Sequence, residues 1–436
     1  MVLVRGDFMR RGCFAVPRAL GRSLRNLPCK PQRGNAILFF ALIYNTSMPN
    51  RRSFLISAGA LSQMRVNGAN ERLRIGMVGT GARGASHARR LAGRKDTDVV
   101  AVCDIYRTRA EAARARSNPQ ADVFQDYRRV LDRKDIDAVV IAVSDHWHTP
   151  ILLDALQAGK DVFLEKPMTW RMEEGHEIVA AVKRTGRVVQ VGTQQKSGPH
   201  FIEAKQRFFD SGAIGKVSLI RTYWIGNRGF FRHPPAGFVY RTDDLNWDLF
   251  QGRAPKRPFD AQRYFGWTMF RDYSTGQPGG VFTHTVDTAH MMLGLGAPSA
   301  VVALGGIYEF PDDRDTPDTI SLLAEYPQKL VLTADATQSS PRDVVDVEFH
   351  GSGGVLNIFR SGYRFQPREG SVVEAKGVDA DGPHMDNFLA AVRGRKQPNA
   401  DVVYSHYVTS LCHMANLAHF GRKRIDWNPA WNVGTL

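Results

Sequence analysis

The segment "DVFLEKP", residues 161–167, places charged side chains directly after an apolar run. The run 162–164 predicts a buried strand, and Glu165, Lys166 and Pro167 follow it at once. Ligands of open α/β sheets bind outside the carboxyl ends of the strands. Lys166 is therefore predicted to face a ligand-binding cleft.

A second pair of reactive side chains lies in "HTVDTAH", residues 284–290. His284 and Asp287 are three residues apart, so one turn of helix would place both on one face. Imidazole has an unperturbed pKa of about 6.5 and is a natural general base. This spacing makes His284 a candidate proton acceptor, with Asp287 orienting it or binding a hydroxyl.

A glycine pattern near residue 80 indicates a nucleotide-binding turn. In "LRIGMVGTGARGASHARRL", residues 73–91, a buried strand precedes Gly79, Gly81 and Gly84, and a helical run follows. In this GxGxxG spacing the three glycines permit a tight turn, close approach of a pyrophosphate and close helix packing, in that order. The free N–H groups of the helix N-terminus would bind the phosphates.

An acidic residue ends the next predicted strand, "DVVAVCD", at Asp104. An acid about 20 residues beyond the glycines typically binds the adenine ribose hydroxyls, and its charge disfavours a 2′-phosphate. Asp104 therefore favours NAD, while Arg107 leaves NADP as an alternative. A helix N-cap is the other interpretation of Asp104.

Strands and helices alternate along the first half of the chain. The apolar strands 136–143, 161–164 and 188–195 are separated by helical patterns, which predicts a doubly wound parallel sheet. Short strands with turn residues between them dominate 196–375, and a helical pattern covers 384–420. The fold class is α/β, with two domains.

The order of these motifs resembles the Gfo/Idh/MocA oxidoreductase family, in its bacterial, often exported branch. The likeness is carried by the glycine turn, the acid-ended strand, "HWHTP" and "EKP", and continues through 246–259, 284–294 and 384–418. The resemblance implies an N-terminal Rossmann domain and a C-terminal α/β domain with an open, mostly antiparallel sheet. The expected boundaries are 71–195 for the nucleotide domain, 196–375 for the second domain, and 376–436 for a helical segment that packs back on the first.

The family also implies roles for single residues. Catalysis is expected from Lys166, beside nicotinamide and often followed by a cis bond to proline, together with His284 and Asp287. Expected cofactor contacts are Gly79, Thr80, Gly81, Ala82, Arg83, Gly84, Asp104, His148, Glu165, Lys166 and Gln194. Expected substrate contacts are Lys166, Gln195, Tyr273, His284 and Asp287. By residue type alone, Tyr223, Trp224 and Trp267, with Tyr273, are candidates for a carbohydrate-stacking wall, with ordinary core aromatics as the alternative for each.

One position departs from the family. Many members carry an acid four residues before the histidine, where this chain has Gly280. We expect an NAD(P)-dependent oxidoreductase that transfers hydride between nicotinamide and a secondary alcohol of a sugar, inositol or glycoside. The alternatives are a lyase or glycosidase that keeps NAD bound and works through a transient keto-sugar, and a non-catalytic NAD(H) sensor.

The formal charge of +15 belongs mostly to the N-terminal segment. Residues 1–70 contain 11 Lys and Arg and one acid, Asp7, so the rest carries only 47 − 42 = +5, which argues against a nucleic-acid partner. Arg51-Arg52 with "SFLISAGA" resembles a twin-arginine export signal, with Met48 as an alternative start. We expect export to the periplasm, with a cytoplasmic protein as the alternative, no membrane span, no metal site, and a homo-oligomer (dimer or tetramer).

Overall fold

The computed structural model describes residues 72–227, 231, 233–234, 237, 239 and 241–436. The expected leader, residues 1–70, with Met48 and its arginine pair, lies outside the described residues. None of the described helices has the length and apolar character that crossing a bilayer requires.

The first sheet has six parallel strands in the order β3-β2-β1-β4-β5-β6. Its strands are β1 (Leu73–Val78), β2 (Thr97–Cys103), β3 (Asp122–Phe124), β4 (Ala138–Ile141), β5 (Asp161–Leu164) and β6 (Val189–Val191). The helices between them are α1 (Ala82–Ala92), α2 (Arg107–Ser117), α3 (Arg128–Leu131), α4 (His148–Gln157) and α5 (Glu174–Thr185). Every residue of β4 and β5 is buried, as apolar strands of a parallel sheet covered on both faces must be. The strand order reverses between β1 and β4, and a crevice opens at such a point.

The second sheet has nine strands in the order β14-β13-β12-β11-β7-β10-β9-β8-β15. They are β7 (Val217–Ile225), β8 (Ala300–Gly306), β9 (Thr319–Tyr326), β10 (Leu330–Thr337), β11 (Val344–Gly351), β12 (Gly354–Phe359), β13 (Gly362–Pro367), β14 (Val373–Lys376) and β15 (Ile425–Asp426). Only the β7–β10 pair among these neighbours is parallel. The predicted fold class, a Rossmann sheet plus an α/β domain with a mostly antiparallel sheet, is confirmed.

The remaining helices close the cleft and join the two cores. They are α6 (Pro199–Ala204), α7 (Trp247–Gln251), α8 (Ala261–Phe265), α9 (Thr283–Leu293), α10 (Asp381–Gly394) and α11 (Val402–Gly421). Met385 and Phe388 of α10 share a buried cluster with Ile75 of β1, whereas Leu411 of α11 packs in the core of the second sheet. The Asp401 side chain caps α11 by accepting hydrogen bonds from two backbone N–H groups. The segment predicted as helical over 384–420 is thus two helices: α10 packs on the first sheet, and α11 packs on the second sheet while its Val402 joins the core of the first.

Candidate active site

A cleft of about 550 Å³ runs from the glycine turn to the start of α9. Gly81, Ala82 and Arg83 line one side of it, and Gly280 and His284 line the other. The cleft therefore lies where the crevice of the parallel sheet meets the second domain. A cavity of this volume is within the usual range of about 300–1,000 Å³ for small-molecule sites.

The glycine turn has the geometry that a dinucleotide phosphate needs. Gly79 has a positive φ of 84°, and a Cβ there would lie 2.3 Å from the carbonyl oxygen of Ala142. A Cβ on Gly84 would lie 2.0 Å from the carbonyl oxygen of Gly79, so this glycine allows α1 to pack against β1. No side chain caps α1, and its first turn contains no acid. Its N-terminal amides are thus available to an anion.

Asp104 lies in the cleft at the end of β2 and is held by the glycine turn. Its Oδ2 accepts hydrogen bonds from Thr80 N at 2.8 Å and Thr80 Oγ1 at 3.0 Å, and its Oδ1 accepts one from Tyr106 N. Thr80, expected to contact the cofactor, instead supports Asp104 and does not line the cleft. The N-terminus of α2 has no side-chain cap, so the N-cap interpretation of Asp104 is wrong.

One cationic residue near the glycine turn was not predicted from the sequence. Arg109 lines the cleft, and its Nη1 donates a hydrogen bond to Tyr264 Oη at 3.0 Å. Arg107, considered for a 2′-phosphate, forms an ion pair with Glu111 and does not line the cleft. The helical period explains the difference, because residues two apart face different sides of a helix.

Glu165 is buried between two cationic or protonatable partners. Its Oε1 accepts a hydrogen bond from Arg83 Nε at 2.7 Å and lies 2.7 Å from His87 Nε2. Burial acts to raise the pKa of Glu165, but the charge of Arg83 and the hydrogen bond with His87 hold that pKa well below its usual range. Arg83 also forms a bidentate pair with Asp381 at the start of α10. Glu165 is therefore an ionised anchor for the turn that carries Lys166.

Lys166 projects into the cleft from a cis Lys166–Pro167 peptide, as the family resemblance implies. Its Nζ donates a hydrogen bond of 2.7 Å to the carbonyl oxygen of Gly280. Burial lowers the pKa of Lys166, although the charges of Glu165 and Asp145 act to raise it. The ammonium of Lys166 thus lies at the domain junction and loses its proton more readily than an exposed lysine does.

His284 lines the same end of the cleft from the first turn of α9. Its Nδ1 lies 3.3 Å from Gln195 Oε1, and its ring stacks on Trp224 with centroids 5.5 Å apart. Burial and then the charge of Lys166 hold the pKa of His284 well below its ordinary value, so the ring is neutral. With Nδ1–H donated to Gln195, Nε2 carries the lone pair. It has no hydrogen-bond partner within the described part of the chain.

Gly280, at the position where many family members carry an acid, is closely packed. It belongs to a π-helical turn, Pro278–Phe282, that leads into α9. A Cβ on Gly280 would lie 2.6 Å from Phe231 Cζ. The phenyl ring occupies the direction in which a side chain would extend, and the backbone carbonyl takes the hydrogen bond of Lys166.

His148 and Tyr273, both expected at the site, do not line the cleft. Both ring nitrogens of His148 lie near carbonyl oxygens, Nδ1 at 2.6 Å from Pro167 and Nε2 at 3.2 Å from Val143. His148 thus supports the turn after β5 instead of contacting the cofactor. Tyr273 is fully buried in an aromatic cluster, with its ring centroid 4.7 Å from that of Phe250, so it cannot contact substrate there.

Asp287 is also absent from the cleft lining. It is fully buried, and neither carboxylate oxygen has a hydrogen-bond partner among the described residues. Burial raises the pKa of Asp287 to about 7, against the opposing charge of Lys196. Residues 283–292 of α9 are all buried. His284 contacts Gln195 and Trp224, whereas the charge that acts on Asp287 is that of Lys196, so the two side chains have different neighbours. A spacing of three residues therefore does not bring both side chains to the cleft in a helix that is surrounded on all sides.

Some of the remaining polar and aromatic residues that were predicted at the site line the cleft, and others do not. Gln194 lines the cleft, while Gln195 lies behind it and contacts His284. Of the four aromatic candidates, Trp224 and Trp267 line the cleft, and Tyr223 and Tyr273 do not. Asp145, which the sequence analysis missed, also lines the cleft and accepts hydrogen bonds from Thr275 N and Oγ1. Its position after β4 is the signal that could have identified it, by the same rule that identified Lys166.

A six-stranded parallel sheet with a glycine turn, an acid after β2 and a cleft against a second α/β domain defines a dinucleotide-binding protein of the Rossmann type. Residues 73–193 match the family model described as "Oxidoreductase family, NAD-binding Rossmann fold". The nucleotide-binding domain of this chain therefore matches the Gfo/Idh/MocA oxidoreductase family, and the resemblance read from the sequence is confirmed over that domain.

Known proteins resemble this chain at two levels. The chain is 32% identical over 184 residues to inositol 2-dehydrogenase of Salmonella typhimurium, and the aligned region covers 41% of this chain and 54% of that protein. It is 36% identical over 173 residues to inositol 2-dehydrogenase of Klebsiella pneumoniae subsp. pneumoniae, and the aligned region covers 39% of this chain and 49% of that protein. The chain thus spans about half the length of the curated relatives it matches.

Solved structures extend the likeness of the fold over most of the chain. Levoglucosan dehydrogenase in complex with NADH and levoglucosan aligns with a TM-score of 0.66 at 17% identity, covering 82% of this chain and 99% of that one. The WlbA dehydrogenase of Bordetella pertussis, in complex with NADH and UDP-GlcNAcA, aligns with a TM-score of 0.63 at 18% identity, covering 82% and 99%. At these identities the comparison establishes the shared two-domain fold.

Proposed function

We propose that this protein is an NAD(P)-dependent oxidoreductase acting on a secondary alcohol of a sugar, inositol or glycoside. The observation that carries the proposal is the convergence of Lys166 and His284, 118 residues apart in sequence, at one end of a cleft that also contains the glycine turn. The family of the nucleotide domain, and relatives named inositol 2-dehydrogenase, support it.

The residues present fit a dinucleotide. The uncapped N-terminus of α1 suits a pyrophosphate, and the carboxylate of Asp104 suits a ribose diol. The negative charge of Asp104 favours NAD over NADP, although Arg109, which lines the same cleft, provides a cation. Bound nicotinamide would supply the hydride acceptor, which no side chain of the chain can replace.

The roles of the protein side chains are to bind the alcohol and to remove its proton. Lys166 Nζ, fixed by the Gly280 carbonyl, can donate a hydrogen bond to the alcohol oxygen. His284 Nε2 is neutral and can accept the hydroxyl proton, while Gln195 holds Nδ1–H and so fixes the tautomer. The positive charge of Lys166 stabilises oxygen as negative charge develops on it during proton loss.

Kinetics with matched variants test this proposal. Lys166→Ala and His284→Ala are expected to lower kcat by roughly 10²–10⁴-fold on a panel of polyols, sugars and methyl glycosides, followed by nicotinamide absorbance. Lys205→Ala is the matched control, since this lysine pairs with Asp210 at the surface. NAD binding, measured by calorimetry, should persist in both active-site variants. Unchanged turnover in both variants would reject the assigned roles.

A lyase or glycosidase that keeps its dinucleotide bound is the second candidate. The replacement of the family acid by Gly280, with Phe231 packed against it, favours chemistry that departs from simple dehydrogenation. Such an enzyme would cleave a glycoside while NADH does not accumulate. Product analysis of a glycoside reaction by mass spectrometry, with absorbance followed in parallel, separates the two candidates.

We also propose export through the arginine pair at 51–52 and self-association through the second sheet. The outer face of this sheet exposes Val302, Leu304 and Leu323, which are 40%, 78% and 46% exposed and would be covered by a second copy. Amino-terminal sequencing of protein from the native host tests export, and an intact Met1 in the cytosol would reject it. Light scattering tests self-association, and a monomer at micromolar concentration would reject it.

A further inference from the structure

A second cavity of about 300 Å³ adjoins the reactive end of the main cleft. Gln194 and Arg360 line both spaces. Gln195, whose Oε1 contacts His284 Nδ1, lines the second cavity as well. Because Asp104 and Arg109 belong only to the main cleft, the second cavity opens beside the catalytic histidine and away from the expected adenosine end.

The wall between the two spaces offers uncommitted hydrogen-bonding groups. Gln194 Oε1 is buried and has no partner among the described residues. The only hydrogen bond that the described residues give the Gln195 side chain uses Oε1, which leaves its two amide N–H donors available. Polar groups enclosed in this way are normally satisfied by hydrogen bonds, so a ligand rich in hydroxyl groups suits this wall.

A histidine adds a further acceptor to the second cavity. His200 is 3% exposed, and its Nε2 lies 3.1 Å from the carbonyl oxygen of Phe359, so Nε2 must carry the proton. Nδ1 then has the lone pair, and it is buried without a partner among the described residues. Burial lowers the pKa of His200, which keeps the ring neutral and Nδ1 an acceptor.

The charges around the second cavity argue for a neutral ligand. Asp381 is paired with Arg83 at 2.7 Å, and Asp379 with Arg90 at 3.0 Å, so the acids on the wall are neutralised by arginines of α1. The same pairing engages those arginines, which leaves them unsuited to a phosphate. Arg360 also lines the cavity, and its guanidinium lies over the Trp224 ring, 5.3 Å from the centroid. A wall of amides, an imidazole, paired acids and one guanidinium matches the donor and acceptor pattern of a sugar.

We propose that the second cavity binds the remote ring of a disaccharide or extended glycoside, while the ring that is oxidised lies between Lys166 and His284. This assignment rests on the proposed function, because it takes the alcohol to be part of a sugar. The geometry makes Gln194 and Arg360 the junction between the two rings. The expected substrate is therefore a glycoside, with a free monosaccharide turned over less efficiently.

Filling the second cavity tests the assignment without touching the catalytic residues. Val378 lines the cavity and is 56% exposed, so Val378→Trp and the smaller change Val378→Phe should fold normally. Val372 precedes β14, whereas Val378 follows it, and Val372 is exposed but not on the cavity wall, so Val372→Trp is the matched control. Circular dichroism melts confirm that each variant is folded.

The probes are glucose, methyl glucoside, cellobiose, maltose, galactose and lactose. In the unmodified protein at least one disaccharide should exceed its parent monosaccharide in kcat/KM by about tenfold or more. Val378→Trp should abolish that advantage by raising KM for the disaccharide, while kcat and the kcat/KM of the monosaccharide stay unchanged. Val372→Trp should retain the disaccharide advantage. Equal kcat/KM values for disaccharide and monosaccharide, or an advantage that survives both Val378 variants, would overturn the assignment.

Calorimetry of the same disaccharides, without turnover, separates this inference from the proposed function. Suppose that the protein binds a disaccharide, that Val378→Trp weakens this binding tenfold, and that no sugar is oxidised. This result would support the assignment of the second cavity and reject the oxidoreductase proposal. Oxidation of monosaccharides with no disaccharide binding would retain the oxidoreductase proposal and reject the second cavity.

Discussion

The Nζ atom of Lys166 donates a 2.7 Å hydrogen bond to the backbone carbonyl of Gly280, 114 residues away in sequence. This bond joins the turn after β5 to the π-helical turn before α9, and so joins the two domains at the cleft. A carbonyl oxygen accepts a hydrogen bond but does not take up a proton near neutral pH. The carboxylate found at this position in many family members could do both, so under the proposed function we expect proton removal to fall to His284.

Gly280→Ala is predicted to lower turnover because its Cβ would lie 2.6 Å from Phe231 Cζ. The clash must displace either the ring or the carbonyl that holds Lys166. We expect a loss of about tenfold in kcat, with dinucleotide affinity unchanged. The double variant Gly280→Ala/Phe231→Leu should recover most of this loss, because the smaller side chain makes room for the methyl group. Single and double variants with equal kcat would contradict this account of the lysine contact.

Titration of His284 should not cause kcat/KM to fall on the acid side near pH 6.5. Burial and the charge of Lys166 hold its pKa well below that value, so the neutral, proton-accepting form persists to more acidic pH. The lowered pKa of Lys166 predicts an alkaline limb below the ordinary lysine value of 10.5. Lys166→Arg, which stays charged, should lack that limb. An acid limb near 6.5 that Lys166→Arg leaves in place would argue against the buried, neutral histidine.

Asp104→Asn should weaken NAD more than NADP. The substitution removes the charge that repels a 2′-phosphate and weakens the hydrogen bonds to the ribose, which for a charged partner are worth about 1.5–3 kcal/mol. We expect KM for NAD to rise about tenfold or more and the preference for NAD over NADP to fall. Thr80→Val is the control, since it removes one hydrogen bond to Asp104 and keeps the carboxylate. An unchanged cofactor preference in Asp104→Asn would remove Asp104 from the ribose site.

Asp287→Asn should change the pH dependence of stability. The folded protein raises the pKa of Asp287 to about 7 from an ordinary value of 3.8. The contribution of Asp287 to the free energy of unfolding is therefore fully present below pH 3.8 and is lost as the pH rises through 7. The free energy of unfolding of the variant, relative to the unmodified protein, should rise from about pH 4 and level off above pH 7. Parallel denaturation profiles across this range would show that the carboxylate does not titrate there.

The two halves of the cleft differ in how far they could be predicted. The glycine turn, Asp104 and Lys166 were found from sequence because they are local: each follows an apolar strand, and the carboxyl ends of parallel strands meet at one edge. The partners of these residues were not found. Asp381, which holds Arg83, and Gly280, whose carbonyl holds Lys166, are distant in sequence and belong to different elements.

The errors have a shared physical cause. His148 and Tyr273 have side chains that suit a cofactor or a sugar, but buried backbone carbonyls and a closed aromatic cluster engage them. Asp287 was assigned with His284 because a helix brings residues three apart to one face. Whether that face borders a cleft or a packed core depends on the neighbouring elements.

The sequence by itself determined the parallel sheet, its nucleotide turn and the identity of the lysine and histidine, because apolar periodicity and turn residues act over short stretches of chain. Only the tertiary structure decided which polar groups share the cleft, why Gly280 replaces an acid, and where a second cavity opens beside His284. Those features depend on contacts between residues more than a hundred positions apart, and no local pattern encodes such distances.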